Sequence, residues 1–338
     1  MAEPSVNLQS ATQALPLPWQ TDMAERLRHA LEADRLAHAL LVCGPAGVGK
    51  RRLVEWLVSL LLCESRHTAR PCRDCRGCSL MDAGSHPDFR FVEPESGSLQ
   101  IRIDAIRELT EFINLSSQLG ARRIAVIAPA DRLNRHAANS LLKTLEEPPP
   151  GAQLIMLADH VASLPSTVRS RCQRITVAPP GLPVARRWLR EQGAGESNVE
   201  QLLAISANAP LRALAFAEQE MGADLGKLTS TLADISRGRR SPLDGTGEWA
   251  TREQLPQLLD LLTVLVQRLI RRESIREPDP LLPQLAEIPS GMELCALHRY
   301  LDYLYEAQRL RDRALQPQLY VEDLFVRWQH ASSRRSHG

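Results

Sequence analysis

Apolar residues recur along this chain with two different periods, and the switch between them divides it. In the first half, short unbroken apolar runs such as His38-Ala39-Leu40-Leu41-Val42-Cys43 read as buried strands. Further strand candidates lie at 88–92, 123–127, 153–157 and 173–177. Between them the period changes to that of a helix. Residues 21–34 place Met23, Leu27, Ala30 and Leu31 on one face. Leu53, Trp56, Leu57, Leu60 and Leu61 follow at i, i+3, i+4, i+7 and i+8. Helices are also expected over 103–115 and 136–147, the second with Ala138, Leu141, Leu142 and Leu145 in its stripe and Pro148-Pro149-Pro150 to stop it. Strands alternating with helices imply an α/β fold with a parallel sheet covered on both faces.

Beyond Pro179-Pro180-Gly181 the strand signal disappears. Helices are expected at 182–192, 198–206 and 210–219, then, after an Arg-, Ser-, Pro- and Gly-rich loop at 237–247, at 255–272, 298–315 and 321–331. The helix at 255–272 carries Leu258, Leu259, Leu262, Leu265 and Leu269. The expected organisation is an α/β domain at 1–178, a small helical domain at 179–236 and an all-α domain at 237–338. No repeat of fixed period is present.

Composition narrows the function classes. Across 338 residues, 43% are hydrophobic and 24% charged, as in an ordinary globular protein, but only 4% are aromatic. Cores must therefore be built from Leu, Ile, Val and Ala. A net charge of +1 argues against a broad cationic face for nucleic acid. The basic clusters Arg237-Gly238-Arg239-Arg240 and Arg268, Arg271, Arg272 read as solvated faces or linkers. No apolar stretch reaches membrane-spanning length, and residues 1–16 lack the basic start and apolar run of a secretory signal. The expectation is a cytoplasmic protein without membrane contact, whose seven cysteines stay reduced or bind metal.

The loop after the first strand, Gly44-Pro45-Ala46-Gly47-Val48-Gly49-Lys50-Arg51, has the spacing of a phosphate-binding loop, with Arg51 where Ser or Thr should hold Mg²⁺. Glycines at 44, 47 and 49 let backbone N–H groups close around phosphate oxygens, and Lys50 is placed to reach the outer phosphates. Without the hydroxyl the metal loses a ligand. A second defect points the same way: the strand at 123–127 runs into Ala128-Pro129-Ala130, with no carboxylate at its tip. Asp131 follows in an expected loop or helix cap. Hydrolysis by this chain is not expected, and ATP binding is expected to be weak or absent. The plainer alternative is a strand-to-helix turn without a ligand.

Cys63-x₈-Cys72-x₂-Cys75-x₂-Cys78 predicts a closed Cys₄ zinc shell. Such a shell has no open position for substrate, so the zinc is structural. A ferredoxin-type cluster would need a trailing Cys-Pro, and disulfides an oxidising compartment. Cys43 and Cys295, outside the cluster, read as buried small apolar residues.

Two further strings carry a family resemblance. Asn139-Ser140-Leu141-Leu142-Lys143-Thr144-Leu145-Glu146-Glu147-Pro148-Pro149 and Thr167-Val168-Arg169-Ser170-Arg171-Cys172 resemble segments of bacterial AAA+ clamp-loader subunits. The cysteine spacing is also similar to that family's zinc module. The likeness covers about residues 35–180 well and the helical remainder in outline. Within the family, the defective loop is similar to that of the delta-prime type. The resemblance implies a AAA+ domain, a helical lid and a helical collar that builds a pentamer. Its partners would be the tau/gamma motor and delta subunits, with the sliding clamp and primed DNA met through the complex. It implies no enzyme on its own, but an accessory subunit of a DNA-directed DNA polymerase (nucleotidyltransferase) holoenzyme.

The resemblance also assigns Arg171 as an arginine finger acting in trans at a neighbour's ATP site; spacing alone would leave it in a local salt bridge. Arg212 falls where the lid's sensor arginine would lie, or on a helix surface. Lys143, Glu146 and Glu147 read as an exposed helix face. Asp159, after Leu157-Ala158, stands where Thr or Asn would sense a γ-phosphate, and an acid there repels phosphate unless it pairs elsewhere. An active motor subunit of the same machine is the alternative, opposed by the two defects. A zinc-dependent nucleic-acid binder is opposed by the near-neutral charge and the lack of interleaved aromatics near the cysteines.

Overall fold

A computed structural model describes residues 14–65, 70–95, 98, 100–120, 122–194, 199–218, 221–245, 247, 249–251, 254–279, 282–310 and 316–333. Residues 1–13 and parts of three expected helices (198, 219 and 311–315) lie outside the described residues. The chain forms two compact units, one ending at Pro180 and the other starting at Gly181.

In the first unit, α1 (Thr21–Glu32), β1 (Ala39–Cys43), α2 (Lys50–Leu62), α3 (Arg76–Asp82), β2 (Phe89–Val92), α4 (Ile103–Asn114) and β3 (Arg123–Ile127) are followed by α5 (Arg135–Ser140), α6 (Leu142–Glu146), β4 (Ala152–Ala158), α7 (Ser166–Arg169) and β5 (Gln173–Thr176). The strands make one parallel sheet in the order β2-β3-β4-β1-β5. Every residue of β1 and β3 is buried, whereas the edge strand β5 buries only Ile175. That gradient is what a parallel sheet with covered faces and polar edges requires. Alternation puts Leu41, Ala125, Ile127, Leu154 and Met156 on one face, in a core with Ile106 and Leu109 of α4, Ala138 of α5 and Leu145 of α6.

The expected helix over 136–147 is divided into α5 and α6 at Leu141, whose backbone stays helical (φ −76°, ψ −20°). The Ser140 hydroxyl donates to Ala137 O at 2.7 Å, a local bond that competes with the helical ladder at that point.

The second unit is helical: α8 (Leu182–Glu191), α9 (Val199–Ile205), α10 (Pro210–Glu218), α11 (Met221–Ser236), α12 (Leu255–Ile275), α13 (Leu294–Leu310) and α14 (Pro317–Ser332). Its core holds Trp328, whose indole N–H donates to Leu232 O at 3.0 Å. Arg212 is neither a plain surface residue nor free of partners. It meets Asp260 of α12 at 3.3 Å and stacks over Phe216. Cys295 is exposed on α13 rather than buried, because it lies off the stripe that buries Leu297, Tyr300, Leu301 and Leu304.

Candidate functional site

The β1–β4 register sets the loop. Pairing of Cys43 with Ala158 places the residues that follow, Gly44 and Asp159, side by side at the carboxyl edge of the sheet. Gly44 N–H donates to Ala158 O at 3.3 Å and Val177 N–H to Cys43 O at 2.7 Å, so the chain leaves β1 tied to both neighbouring strands. A Cβ on Gly44 would stand 2.1 Å from Val177 O, which only glycine avoids. Gly47 and Gly49 have φ of 81° and 85° and turn the chain into α2, which begins at Lys50. The loop's outer carbonyls are braced from the N-terminal side. Trp19 donates its indole N–H to Val48 O at 3.0 Å, and Gln20 donates to Gly49 O at 2.8 Å.

Lys50 turns into this loop. Its ammonium donates to Gly44 O at 2.8 Å and Pro45 O at 2.7 Å, and meets Asp159 Oδ1 at 2.6 Å. Its side chain is only 4% exposed. Asp159, read as a group that would repel phosphate unless paired elsewhere, is paired with the loop's own lysine. Asp131 lies in a single turn (Ala130–Arg132) and accepts the Asp159 backbone N–H at 3.3 Å. Burial, then the nearby Asp159 carboxylate, push the Asp131 carboxyl above its ordinary range. Arg51 brings no oxygen ligand. Its guanidinium lies 3.5 Å from Glu55 and 3.9 Å from Glu93, over the Phe91 ring.

Arg171 follows the short helix α7. Its guanidinium donates to Thr167 O at 2.9 Å and pairs with the Glu146 carboxylate at the end of α6. The side chain remains 35% exposed. The next residue faces inward: the Cys172 thiol donates to Val168 O at 3.2 Å, and burial pushes its pKa up to about 11.

The four cysteines converge as the spacing required. Cys63 caps the C-terminus of α2, and Cys75 caps the N-terminus of α3, accepting Cys78 N–H at 3.4 Å. Cys72 N–H points to Cys63 sulfur at 3.3 Å. All four sulfurs lie within 4.8 Å of one another, and those of Cys72 and Cys78 are 4.0 Å apart. A tetrahedral S₄ shell with bonds of about 2.3 Å puts its sulfurs about 3.8 Å apart, so the set fits one metal ion. Gly77 lets α3 approach so closely: a Cβ there would meet Leu62 O at 2.4 Å. Burial pushes the thiols of Cys63 and Cys78 up, while backbone N–H groups bring Cys72 down to about 6. A bound cation would displace the remaining protons.

The glycine loop and the cysteine cluster stand where their spacing places them, and Arg171 sits in the local salt bridge that spacing alone gives it; the partners themselves carry no sequence signal. Glu146 is set against Arg171, Asp159 against Lys50, and Trp19 and Gln20 against the loop carbonyls.

Fold and site together define a P-loop α/β protein whose phosphate loop holds an internal lysine–aspartate pair, with a separate four-cysteine centre. Residues 19–181 match the family described as DNA polymerase III, delta subunit. The DNA polymerase III subunit delta' of Escherichia coli (strain K12) is 32% identical over 327 residues, 93% of this chain and 95% of that protein. That of Pseudomonas aeruginosa is 38% identical over 202 residues, and the chain spans 60% of its length. The E. coli DNA polymerase III subunit tau is 30% identical over 225 residues, 65% of this chain and 34% of tau. The chain belongs to the delta-prime family of DNA polymerase III subunits.

Proposed function

We propose that this chain is a non-motor subunit of a bacterial DNA polymerase III clamp loader, which helps place the sliding clamp on primed DNA. The observation that carries this reading is the engagement of Lys50 by Asp159 and two loop carbonyls, in a loop with Arg51 at the metal-ligand position. The tip of β3 adds to it, because Ala128-Pro129 offers no carboxylate for a metal or an attacking water.

The chain's contribution to hydrolysis is Arg171, acting in trans at the ATP site of a neighbouring tau/gamma motor subunit. A guanidinium suits that task because it meets charge building on the γ-phosphoryl oxygens. In this reading residues 179–236 form a lid and 237–338 a collar that binds the motor and delta subunits in a AAA+ assembly. Clamp and DNA are met through the complex, in the cytoplasm. The ion in the Cys63–Cys72–Cys75–Cys78 centre is a structural zinc, since four thiolates close its shell.

Two assays test the proposal. Alone, the chain should hydrolyse ATP no faster than the buffer blank. Added to motor and delta subunits, it should stimulate their DNA-dependent hydrolysis. Turnover by the isolated chain would make it a motor.

A further inference from the structure

We propose that Asp159 is a built-in substitute for a diphosphate group: its carboxylate closes the phosphate loop, which stays competent to bind a diphosphate-bearing ligand once that carboxylate is removed. This deepens the non-motor reading, on which it rests for the expectation that the natural chain takes no nucleotide.

The scaffold for phosphate is intact. Gly47 and Gly49 hold positive φ, Gly44 has no room for a side chain, and α2 starts at Lys50. What differs is how Lys50 is spent. An ammonium has three N–H donors. Gly44 O, Pro45 O and Asp159 Oδ1 lie at 2.8, 2.7 and 2.6 Å, one partner for each donor. None is left for a phosphate oxygen. A carboxylate is also acceptor-only and negative, so it repels the anion whose place it takes.

The fold fixes this arrangement. The pairing of Cys43 with Ala158 delivers Asp159 next to the loop, and its backbone N–H is held by Asp131. Lys50, 4% exposed, needs an anion beside it. In the natural chain that anion is internal. With Asp159→Asn it must come from solution, and the amide adds an N–H that a phosphate oxygen can accept. Asp131 keeps its carboxyl but loses the charge that helps push it up.

The test uses the full chain as wild type, Asp159→Asn and the double variant Lys50→Met/Asp159→Asn. Calorimetric titrations and thermal melts are run with ADP, AMP and inorganic pyrophosphate. Wild type should give no binding heat and no melting shift at about 1 mM ligand. Asp159→Asn should melt lower than wild type, recover as pyrophosphate or ADP is added, and bind both at least about tenfold more tightly than wild type. AMP should bind neither protein. The double variant should lose the ligand response, which locates the site at Lys50. If Asp159→Asn does not fold, Asp159→Thr carries the same expectation. A folded Asp159 variant with no ligand response overturns the closure and leaves the non-motor reading standing. Wild type binding ADP as tightly as the variant overturns the closure and removes the main support of the non-motor reading with it.

Discussion

The carboxylate of Glu146 holds the guanidinium of Arg171, joining the helix that runs into Pro148-Pro149-Pro150 to the Ser170-Arg171-Cys172 turn. Both side chains are partly exposed, at 50% and 35%. Such pairs contribute only about 0–1 kcal/mol, because water screens them and two long side chains must be ordered. The pair holds the arginine at the surface at little gain in stability.

Glu146→Gln and Arg171→Ala should therefore each change unfolding free energy by less than about 1 kcal/mol. Urea titrations check this. A loss of several kcal/mol from either variant would mean that the pair holds the fold together.

The cysteine centre should behave as a structural staple. Metal analysis should find one zinc per chain, and Cys75→Ser should lose it. Chelation should speed tryptic cleavage at Arg73 and Arg76 before any change in the far-ultraviolet spectrum of the sheet, because a metal held by these cysteines would pin this segment to the end of α2. Equal cleavage rates with and without chelator would count against the metal centre.

Two glycines separate backbone necessity from convenience. Gly44→Ala places a methyl group 2.1 Å from a carbonyl oxygen that the sheet holds in place, and should cost at least about 2 kcal/mol. A Cβ on Gly120 meets nothing within 4 Å, and Gly120→Ala should stay within about 0.5 kcal/mol of wild type. Similar melting temperatures for the two variants would contradict the close approach at Gly44.

Asp88 should make the first unit acid-sensitive. Burial pushes its pKa up, but the N–H groups of Gln118 and Leu119, the Ser117 hydroxyl and the Arg123 guanidinium outweigh that, and the net shift is downward. A carboxyl with a depressed folded pKa contributes stability that is present above its unfolded value of about 3.9 and lost as pH falls through the folded pKa. Urea titrations from pH 6 downward should show wild type losing stability below about pH 4. Asp88→Asn should be weaker at neutral pH, because Arg123 loses its counter-charge, and flatter on the acid side. Parallel acid limbs for the two proteins would remove Asp88 as the cause.

The elements most legible in the sequence were those whose burial leaves a continuous apolar signature. β1 and β3 are buried at every position; β1 appears as an unbroken apolar run and β3 as one from Ile124 to Ile127, behind a buried Arg123. α11 is not among the helices the pattern predicts, although Leu225, Leu228, Leu232 and Ile235 give it a helical stripe. Gly226 and the Thr229-Ser230-Thr231 run mask that stripe, and packing outweighs their poor helix propensity. α3 has only 7 residues, too few to show a period, and depends on the Cys75 cap. For the site, the glycine and cysteine spacings are local and could be read directly. The Lys50–Asp159 and Glu146–Arg171 pairs join distant parts of the chain. Only the sheet order and the β1–β4 register bring Asp159 to the loop.

The most direct measurement is DNA-stimulated ATP hydrolysis by the complete clamp loader, assembled with wild type, Arg171→Ala or Lys50→Ala in place of this chain. Arg171→Ala should cut hydrolysis at the neighbouring site by about 10³-fold or more, while Lys50→Ala leaves turnover near wild type. A large loss from Lys50→Ala with normal turnover in Arg171→Ala would contradict the assignment and make this chain the one that hydrolyses ATP.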